Sequence, residues 1–436
     1  MEINLNLGAP EGQQDISPGQ ASAALGKNAA IIFPLSSRGG RRGPGLSRRS
    51  GSSTKAERGG FPWARFNPII VFRNRQILVL LAAIFLGAEF SAGAFTSNDV
   101  ATIVNAYTKT FYVASGTNGY LMASQTNRVS TDFWRLANEI ECVLDAYEWT
   151  SNTAQKAVAA RLLNGFLQRH GSRWTRNHYN DDIMWACMAF ARGYLDTGNA
   201  TYRDIAKTNF DLCYARAWDT NGTLVPPVGG MYWTTTNNTK NACVNFPGAI
   251  AAYLLYQCLG DVNYYNTSSN IYFWGRSNLF DAATGRIYDS LRRHGATTYN
   301  QGTFIGAANF LGQTNDAILA ANFTMNIMTK DGILPRYGIG GNNSIFNAIF
   351  IRWLTRFMKE RQLQGTYQPW LQANAEAAWK GRRLSDNLSW CQWPQPTPPG
   401  VNLHSYDCIA SFEAMLAVQP AENASGLGID KSSPQN

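Results

Sequence analysis

Asp181 and Asp182 are adjacent carboxylates at the point where a polar, aromatic-rich stretch gives way to an apolar segment that begins at Ile183. A helix is predicted to start here, and the unpaired N–H groups and positive dipole of a helix start favour a nearby anion. Two carboxyls so close do not ionise together readily, so the pKa of one falls while that of its neighbour rises. A charged and a protonated carboxyl together supply the chemistry that cleaves a glycosidic bond.

The spacing of this pair also bears on the mechanism. Side chains of consecutive helical residues diverge, which predicts carboxyl groups roughly 5–6 Å apart, nearer the separation of retaining than of inverting glycosidases. A structural interpretation is also open, in which Asn180 and the two acids simply cap the helix. Taken alone, the three residues fit a cap better than catalysis, because acidic residues are common at helix starts.

The rest of the chain beyond its N-terminal region is predicted to be helical. Apolar residues recur there at helical spacing, and no segment forms a convincing strand ladder. The twelve predicted helices cover residues 98–113, 132–149, 153–170, 181–197, 200–217, 241–259, 263–280, 299–312, 315–329, 344–364, 368–380 and 404–418.

The connections between these helices alternate in length. Those after the even-numbered helices, apart from the last, are short and contain Gly or Asn, which commonly end a helix. Those after the odd-numbered helices are mostly long, so antiparallel hairpins would place the long loops at one end of the molecule. Six hairpins closed into a ring, an (α/α)6 barrel, satisfy the helix count and the alternation. A solenoid of helical pairs is the alternative, although no motif repeats at a fixed period.

The long loops contain the side chains that a carbohydrate cleft needs. Aromatic rings stack on pyranose faces, while amides and a guanidinium bind hydroxyls. The candidate substrate contacts are Trp174, Tyr179, Asn180, Tyr232, Trp233, Asn241, Asn245, Tyr299, Gln301 and Arg336. Packing at the barrel mouth is the simpler explanation for any single aromatic, and the asparagines at helix starts could be caps. Their concentration on one predicted face favours a sugar ligand.

Several motifs, in order along the chain, resemble those of glycoside hydrolase family 76, the α-1,6-mannanases. They are Tyr179-Asn180-Asp181-Asp182-Ile183-x-Trp185, then Gly229-Gly230-x-Tyr232-Trp233 with Lys240-Asn241-Ala242, then Tyr299-Asn300-Gln301-Gly302. Weaker matches are Phe346-x-x-Ile349-Phe350-x-Arg352-Trp353 and Trp134-x-x-x-Asn138-Glu139. The resemblance implies an (α/α)6 barrel and a retaining mechanism. It also implies that Asp181 is the nucleophile and Asp182 the general acid/base, which the spacing alone leaves open.

The N-terminal region is predicted to lie outside this domain. Residues 1–76 hold eleven Lys or Arg and four acids, so they carry +7 of the formal net charge of +9, and a nucleic-acid partner is not indicated. We predict a disordered basic extension over 1–72, a signal peptide or signal anchor over 73–94, a glycosidase domain over 95–425 and a polar tail over 426–436. The apolar run near residue 80 is too short to span a bilayer, so no stable membrane insertion is expected.

Other residues agree with export. Eight Asn-x-Ser/Thr sequons follow the leader, at Asn199, Asn221, Asn237, Asn266, Asn322, Asn342, Asn387 and Asn423. All seven cysteines also lie in this part of the chain, and a Pro-rich loop between Cys391 and Cys408 makes these two the best candidates for a disulfide. The cysteines and the four histidines show no metal-ligand spacing, so no metal site is predicted.

These patterns together predict a secreted retaining glycoside hydrolase, extracellular or in a cell wall, that needs no cofactor. Its predicted substrate is α-mannan or the polysaccharide of a mannoprotein, cleaved internally at α-1,6-mannosidic linkages. Two alternatives stay open. One is a cell-wall transglycosylase of the same fold, although such relatives generally carry a hydrophobic anchor tail that is not found at this C-terminus. The other is a non-catalytic carbohydrate-binding protein.

Overall fold

A computed structural model describes residues 95–420 of the chain. The predictions for 1–72, 73–94 and 426–436 therefore fall outside the described residues. The described part contains twelve α-helices and four short strands. The helices are α1 (Ser97–Phe111), α2 (Phe133–Thr150), α3 (Thr153–His170), α4 (Asn180–Thr197), α5 (Ala200–Ala217), α6 (Ala242–Leu259), α7 (Val262–Leu279), α8 (Thr298–Phe310), α9 (Thr314–Phe323), α10 (Phe346–Glu360), α11 (Gln364–Lys380) and α12 (Ser405–Ala417).

The even-numbered helices form a closed inner ring. Each packs against the next, and α12 returns to pack against α2. The odd-numbered helices lie outside, next to their sequence neighbours. The inner helices are accordingly apolar on most faces: α6 and α8 are buried over nearly their whole length. The structure is an (α/α)6 barrel, as predicted, with all twelve helices in the predicted order.

The connections explain why one end of the barrel differs from the other. Each inner helix except α12 passes to an outer helix through a short turn, and Gly198 and Gly260 end α4 and α6 in the left-handed conformation, with φ of 73° and 69°. Each outer helix passes to the next inner helix through a long loop. The long loops therefore surround the N-terminal ends of the inner helices, as the sequence predicted.

Two antiparallel hairpins are built into these loops. Strands β1 (Tyr112–Ser115) and β2 (Asn118–Leu121) pair between α1 and α2, and β3 (Phe280–Asp281) pairs with β4 (Arg286–Ile287) between α7 and α8. The sequence did not predict them, because four-residue and two-residue strands are too short to show an alternating pattern.

The middle of the barrel holds a buried ionic cluster, which we define as Glu141 and Asp145 of α2, Arg192 of α4, Arg352 of α10 and Glu413 of α12. Arg352 reaches Asp145 at 2.6 Å, Glu413 at 2.9 Å and Glu141 at 3.2 Å. Arg192 reaches Asp145 at 2.8 Å and Glu141 at 3.2 Å. The cluster thus joins four of the six inner helices, and each guanidinium satisfies carboxylates that would otherwise be buried without a partner.

Two further sequence predictions concern the cysteines and the membrane. All seven cysteines are buried and unpaired, so the predicted Cys391–Cys408 disulfide is wrong; the Cys391 thiol lies 3.4 Å from the Tyr337 carbonyl oxygen instead. One described helix, α6, is long and apolar enough to cross a bilayer by composition, but it belongs to the inner ring and 78% of its apolar window is buried. Its apolar composition is therefore explained by the barrel core.

Candidate active site

The acid pair lies at the first turn of α4, on the end of the barrel that the long loops surround. Helix α4 starts at Asn180, is preceded by Tyr179, and has no side-chain cap. Asn180 is fully buried: its Nδ2 donates to the Tyr232 carbonyl at 2.8 Å, and its Oδ1 accepts from Arg216 Nε at 2.8 Å. Asn180 therefore does not cap the helix but holds its start against neighbouring loops, while the two acids are half-buried at the surface of the cleft.

Asp181 faces the start of the next inner helix, α6. Burial raises the pKa of Asp181 above its usual range, and the Cys243 side chain lowers it only in part. Its Oδ1 and the indole Nε1 of Trp233 are buried atoms that make no hydrogen bond of regular geometry with the described residues, but the Trp233 side chain lies close enough to lower the pKa of Asp181. The carboxyl and the indole therefore lie side by side at the floor of the cleft.

Asp182 faces the opposite wall. Its Oδ2 accepts a hydrogen bond of 3.0 Å from Asn177 Nδ2 in the preceding loop. Burial and the neighbouring charge of Asp181 hold the pKa of Asp182 well above its usual range, opposed by Asn177. The two side chains therefore diverge, and with Asp181 ionised Asp182 retains its proton. Burial thus raises the pKa of both acids, so the prediction that the pKa of one of them falls is wrong.

The loop that supplies Trp233 is anchored by a buried lysine. Lys240 Nζ lies 2.7 Å from Asp219 and between the rings of Tyr232 and Trp274, at 5.2 and 5.4 Å from their centroids. The paired glycines of the loop are also required, because a Cβ on Gly230, whose φ is +75°, would meet the Trp274 ring at 2.5 Å. The predicted contact residue Tyr232 is thus buried within this anchor, while Trp233 is only partly buried and contacts the Tyr179 ring at 5.6 Å.

The remaining predicted contacts fall into three groups. Tyr299 lies near Cys243 and Asp181 and stacks on Phe346 at 3.9 Å. Trp174, Asn241, Asn245 and Gln301 are buried, and the structure shows them holding protein groups. Arg336 is exposed on the loop between α9 and α10. The structure thus brings Tyr179, Asp181, Asp182, Trp233 and Tyr299 together around the cleft. That any of the predicted contact residues binds substrate stays a prediction.

The buried amides show how the loops are fixed. Asn245 Oδ1 accepts from the Met231 backbone N–H at 2.8 Å, and its Nδ2 donates to the Met231 carbonyl at 3.1 Å. Gln301 Oε1 accepts from the Ile287 backbone N–H at 2.6 Å. Each amide therefore reaches from an inner helix to a long loop. The loop backbone needs such side-chain partners because its N–H and C=O groups are not paired in a helix or a sheet.

Two residues near the site were not among the predicted substrate contacts. Asp289, in the loop before α8, accepts a hydrogen bond of 3.3 Å from Asn300 and interacts electrostatically with Cys243 and Tyr299. On the other side, Arg135 of α2 lies 2.7 Å from Asp132 and 4.3 Å from the Tyr406 ring centroid, and it also acts on Asp182. Asp289 lies in the loop before α8 and Arg135 at the start of α2, so no local spacing in the sequence could have grouped them with the acid pair.

Among the described residues, no three His, Cys, Asp or Glu side chains are arranged to hold a metal ion.

A profile of the family described as glycosyl hydrolase family 76 matches residues 96–425, which is most of the chain. The chain belongs to glycosyl hydrolase family 76. It is thus a glycoside hydrolase by family, and the motifs that carried the resemblance lie around the cleft described above.

Solved structures of the family share the fold. The α-1,6-mannanase GH76A of Salegentibacter sp. HEL1_6 is 24% identical, with a TM-score of 0.66 over 74% of this chain and 98% of that one. An inactive variant of that enzyme, with two consecutive aspartates replaced by asparagine, was solved with α-1,6-mannotriose. Dfg5 from Chaetomium thermophilum, solved with glucosamine, is 16% identical, with a TM-score of 0.60 over 75% of this chain and 92% of that one. A comparison with curated protein sequences found no significant match.

The raised pKa of Asp182 predicts a pH-dependent gain of stability on its replacement. In the unfolded chain the carboxyl has an ordinary pKa of about 4. Since the folded pKa is higher, the free energy of unfolding falls as pH rises from about 4 toward the folded pKa. We expect Asp182→Asn to unfold at a higher urea concentration than the wild type at pH 7, and at nearly the same one at pH 4. Equal differences at both pH values, or a gain in the exposed control Asp204→Asn, would contradict this expectation.

Proposed function

We propose that this glycoside hydrolase is secreted and cleaves α-1,6-mannosidic linkages inside α-mannan with retention of anomeric configuration. The observation that carries the proposal is the divergent acid pair at the cleft floor, in which Asp181 lies beside Cys243 and Trp233 and Asp182 retains the proton. Family membership supports it. So does the α-1,6-mannanase of the same fold whose inactive variant lacks two consecutive aspartates.

The proposed reaction uses the two carboxyls in turn. Ionised Asp181 attacks the anomeric carbon while Asp182 transfers its proton to the glycosidic oxygen, so the C–O bond breaks and a glycosyl ester forms on Asp181. Asp182, now a carboxylate, then takes a proton from water, whose oxygen attacks the anomeric carbon and releases Asp181. The two inversions give net retention. Asn177 keeps Asp182 oriented through both steps by its 3.0 Å hydrogen bond.

The surroundings of the pair suit a sugar chain. Tyr179, Trp233 and Tyr299 supply rings next to the carboxyls, and Asp289 and Asn300 supply polar groups on the wall near α8. The oxygen Oδ1 of Asn300 is buried and without a hydrogen-bond partner in the described part of the chain. A long loop precedes every inner helix, so loops surround the cleft. We propose that the sugar chain binds on both sides of the cleaved bond, as internal cleavage requires.

Secretion and an extracellular or cell-wall location are supported by the sequence and by the positions of the sequons. Asn199, Asn221, Asn266 and Asn322 are exposed. Asn237, Asn342 and Asn387 are half-buried, and the side chains of Asn342 and Asn387 contact Arg135 and Arg382. N-glycan mapping of the secreted protein tests this part of the proposal.

Product analysis on linear α-1,6-mannan tests the reaction. We expect oligosaccharides of mixed length to appear early, and the first NMR signal of a new reducing end to be the α-anomer. A β-anomer as first product would contradict retention, and release of mannose alone would contradict internal cleavage. Products longer than the substrate would instead identify a transglycosylase, the candidate that the likeness to Dfg5 keeps open.

A further inference from the structure

A second pocket lies beside the cleft, between the β1–β2 hairpin and the C-terminal end of α3. Its volume is about 360 Å³, within the usual range of small-molecule sites. The lining residues are Ser115, Asn118, Gly119, Tyr120, Arg128, Val129, Ser130, Gly165, Gln168 and Arg169. They comprise two guanidinium groups, several hydroxyls and amides, and one aromatic ring, with no acidic side chain among them.

The floor of this pocket is held in place by specific contacts between the hairpin and α3. The hairpin rests directly on α3, because a Cβ on Gly165 would lie only 1.8 Å from the Gly119 carbonyl oxygen. Two side-chain amides fix the contact: Asn118 Nδ2 donates to Gln168 Oε1 at 3.0 Å, and Asn164 Nδ2 donates to the Thr117 carbonyl at 2.9 Å. A floor held in this way keeps its shape without a ligand, which lowers the entropic cost of binding one.

The pocket lies on the side of the acid pair where Asp132 is found. Ser130 lines it, and Asp132, two residues further, acts electrostatically on Asp182. Arg169 acts in turn on Asp132, which is paired with Arg135 at 2.7 Å. Arg128 and Arg169 are both exposed. The planar donors of these two arginines match phosphate or carboxylate oxygens.

We propose that this pocket binds an anionic sugar unit, a pyranose that carries a phosphate or a carboxylate, as an extension of the cleft. The guanidinium groups of Arg128 and Arg169 bind the anion, and Tyr120 with the hydroxyls of Ser115 and Ser130 contacts the pyranose. The proposal extends the α-mannan specificity proposed above to charged glycans. Binding in the pocket does not require turnover, so it is measured independently of that function.

The test is calorimetric titration of the full chain with mannose 6-phosphate, glucuronate, mannose and inorganic phosphate at low salt. We expect mannose 6-phosphate or glucuronate to bind at least tenfold more tightly than mannose and than inorganic phosphate, and to weaken as salt is raised. Arg128→Gln/Arg169→Gln should weaken that binding at least tenfold. The control is Arg161→Gln, an exposed arginine on the same helix that does not line the pocket, and it should bind as the wild type does.

Three outcomes would overturn the proposal: equal binding of charged and neutral sugars, inorganic phosphate binding as tightly as the sugar phosphate, or an equal loss in Arg161→Gln. A protein that hydrolyses neutral α-1,6-mannan but shows one of these outcomes would refute the anionic pocket alone. A protein that binds mannose 6-phosphate as expected but hydrolyses no mannan would refute the proposed function alone. If the double variant unfolds, each single variant gives the same comparison with Arg161→Gln.

Discussion

Replacing either carboxyl of the acid pair should nearly abolish hydrolysis of α-1,6-mannan without changing the helical circular dichroism spectrum. For Asp182→Asn the loss of general acid/base catalysis predicts a decrease in kcat of about 10²–10⁴-fold. For Asp181→Asn we expect a loss at least as large, because no glycosyl ester forms without its carboxylate. The exposed residue Asp204, paired with Arg203 on the surface, supplies the control: Asp204→Asn should keep wild-type activity.

Azide distinguishes the roles of the two acids. With an aryl α-mannoside whose leaving group needs no proton, Asp182→Asn should still form the glycosyl ester, and azide should release α-mannosyl azide from it. In Asp181→Asn azide can only replace the missing nucleophile directly, so the product should be β-mannosyl azide. The opposite pattern would exchange the roles of the two acids. Wild-type turnover in either variant would remove that residue from catalysis, and binding of mannotriose without any turnover in the wild type would favour the non-catalytic alternative.

Removing the central cation of the ionic cluster should cause the largest loss of stability. Arg352 is 1% exposed and pairs with Glu141, Asp145 and Glu413, so Arg352→Met leaves several carboxyls buried without it. Breaking a buried ion pair from one side typically costs about 3–5 kcal/mol. We expect a decrease of that size in the free energy of unfolding, measured by urea denaturation at pH 7.

A surface arginine provides the comparison for this variant. Arg161→Met changes the same residue type at an exposed position of α3, where a change of less than about 0.5 kcal/mol is expected. A single variant as stable as Arg161→Met would show that the cluster does not hold the inner ring together.

The helices of the fold and their order could be predicted from the sequence. Helical periodicity is local, so the twelve helices could be placed from apolar spacing alone, and the alternation of short and long connections fixed which helices pair and which end carries the loops. The short hairpins were missed, because a strand pair such as β3–β4 spans only two residues per strand. The Cys391–Cys408 disulfide was predicted from loop length, which says nothing about the geometry that a disulfide requires.

The candidate site could be predicted from the sequence only in part. Sequence alone placed Asp181 and Asp182 together at a helix start, since neighbours in the chain stay neighbours in space. Only the tertiary structure decided that Asn180 is buried between loops and that Asp181 faces α6 while Asp182 faces Asn177. It also brought Asp289 and Arg135 to the site from distant parts of the chain. Burial, and with it the raised pKa of each acid, is a property of everything packed around a residue. It emerges only when six long loops converge on one end of a closed ring of helices.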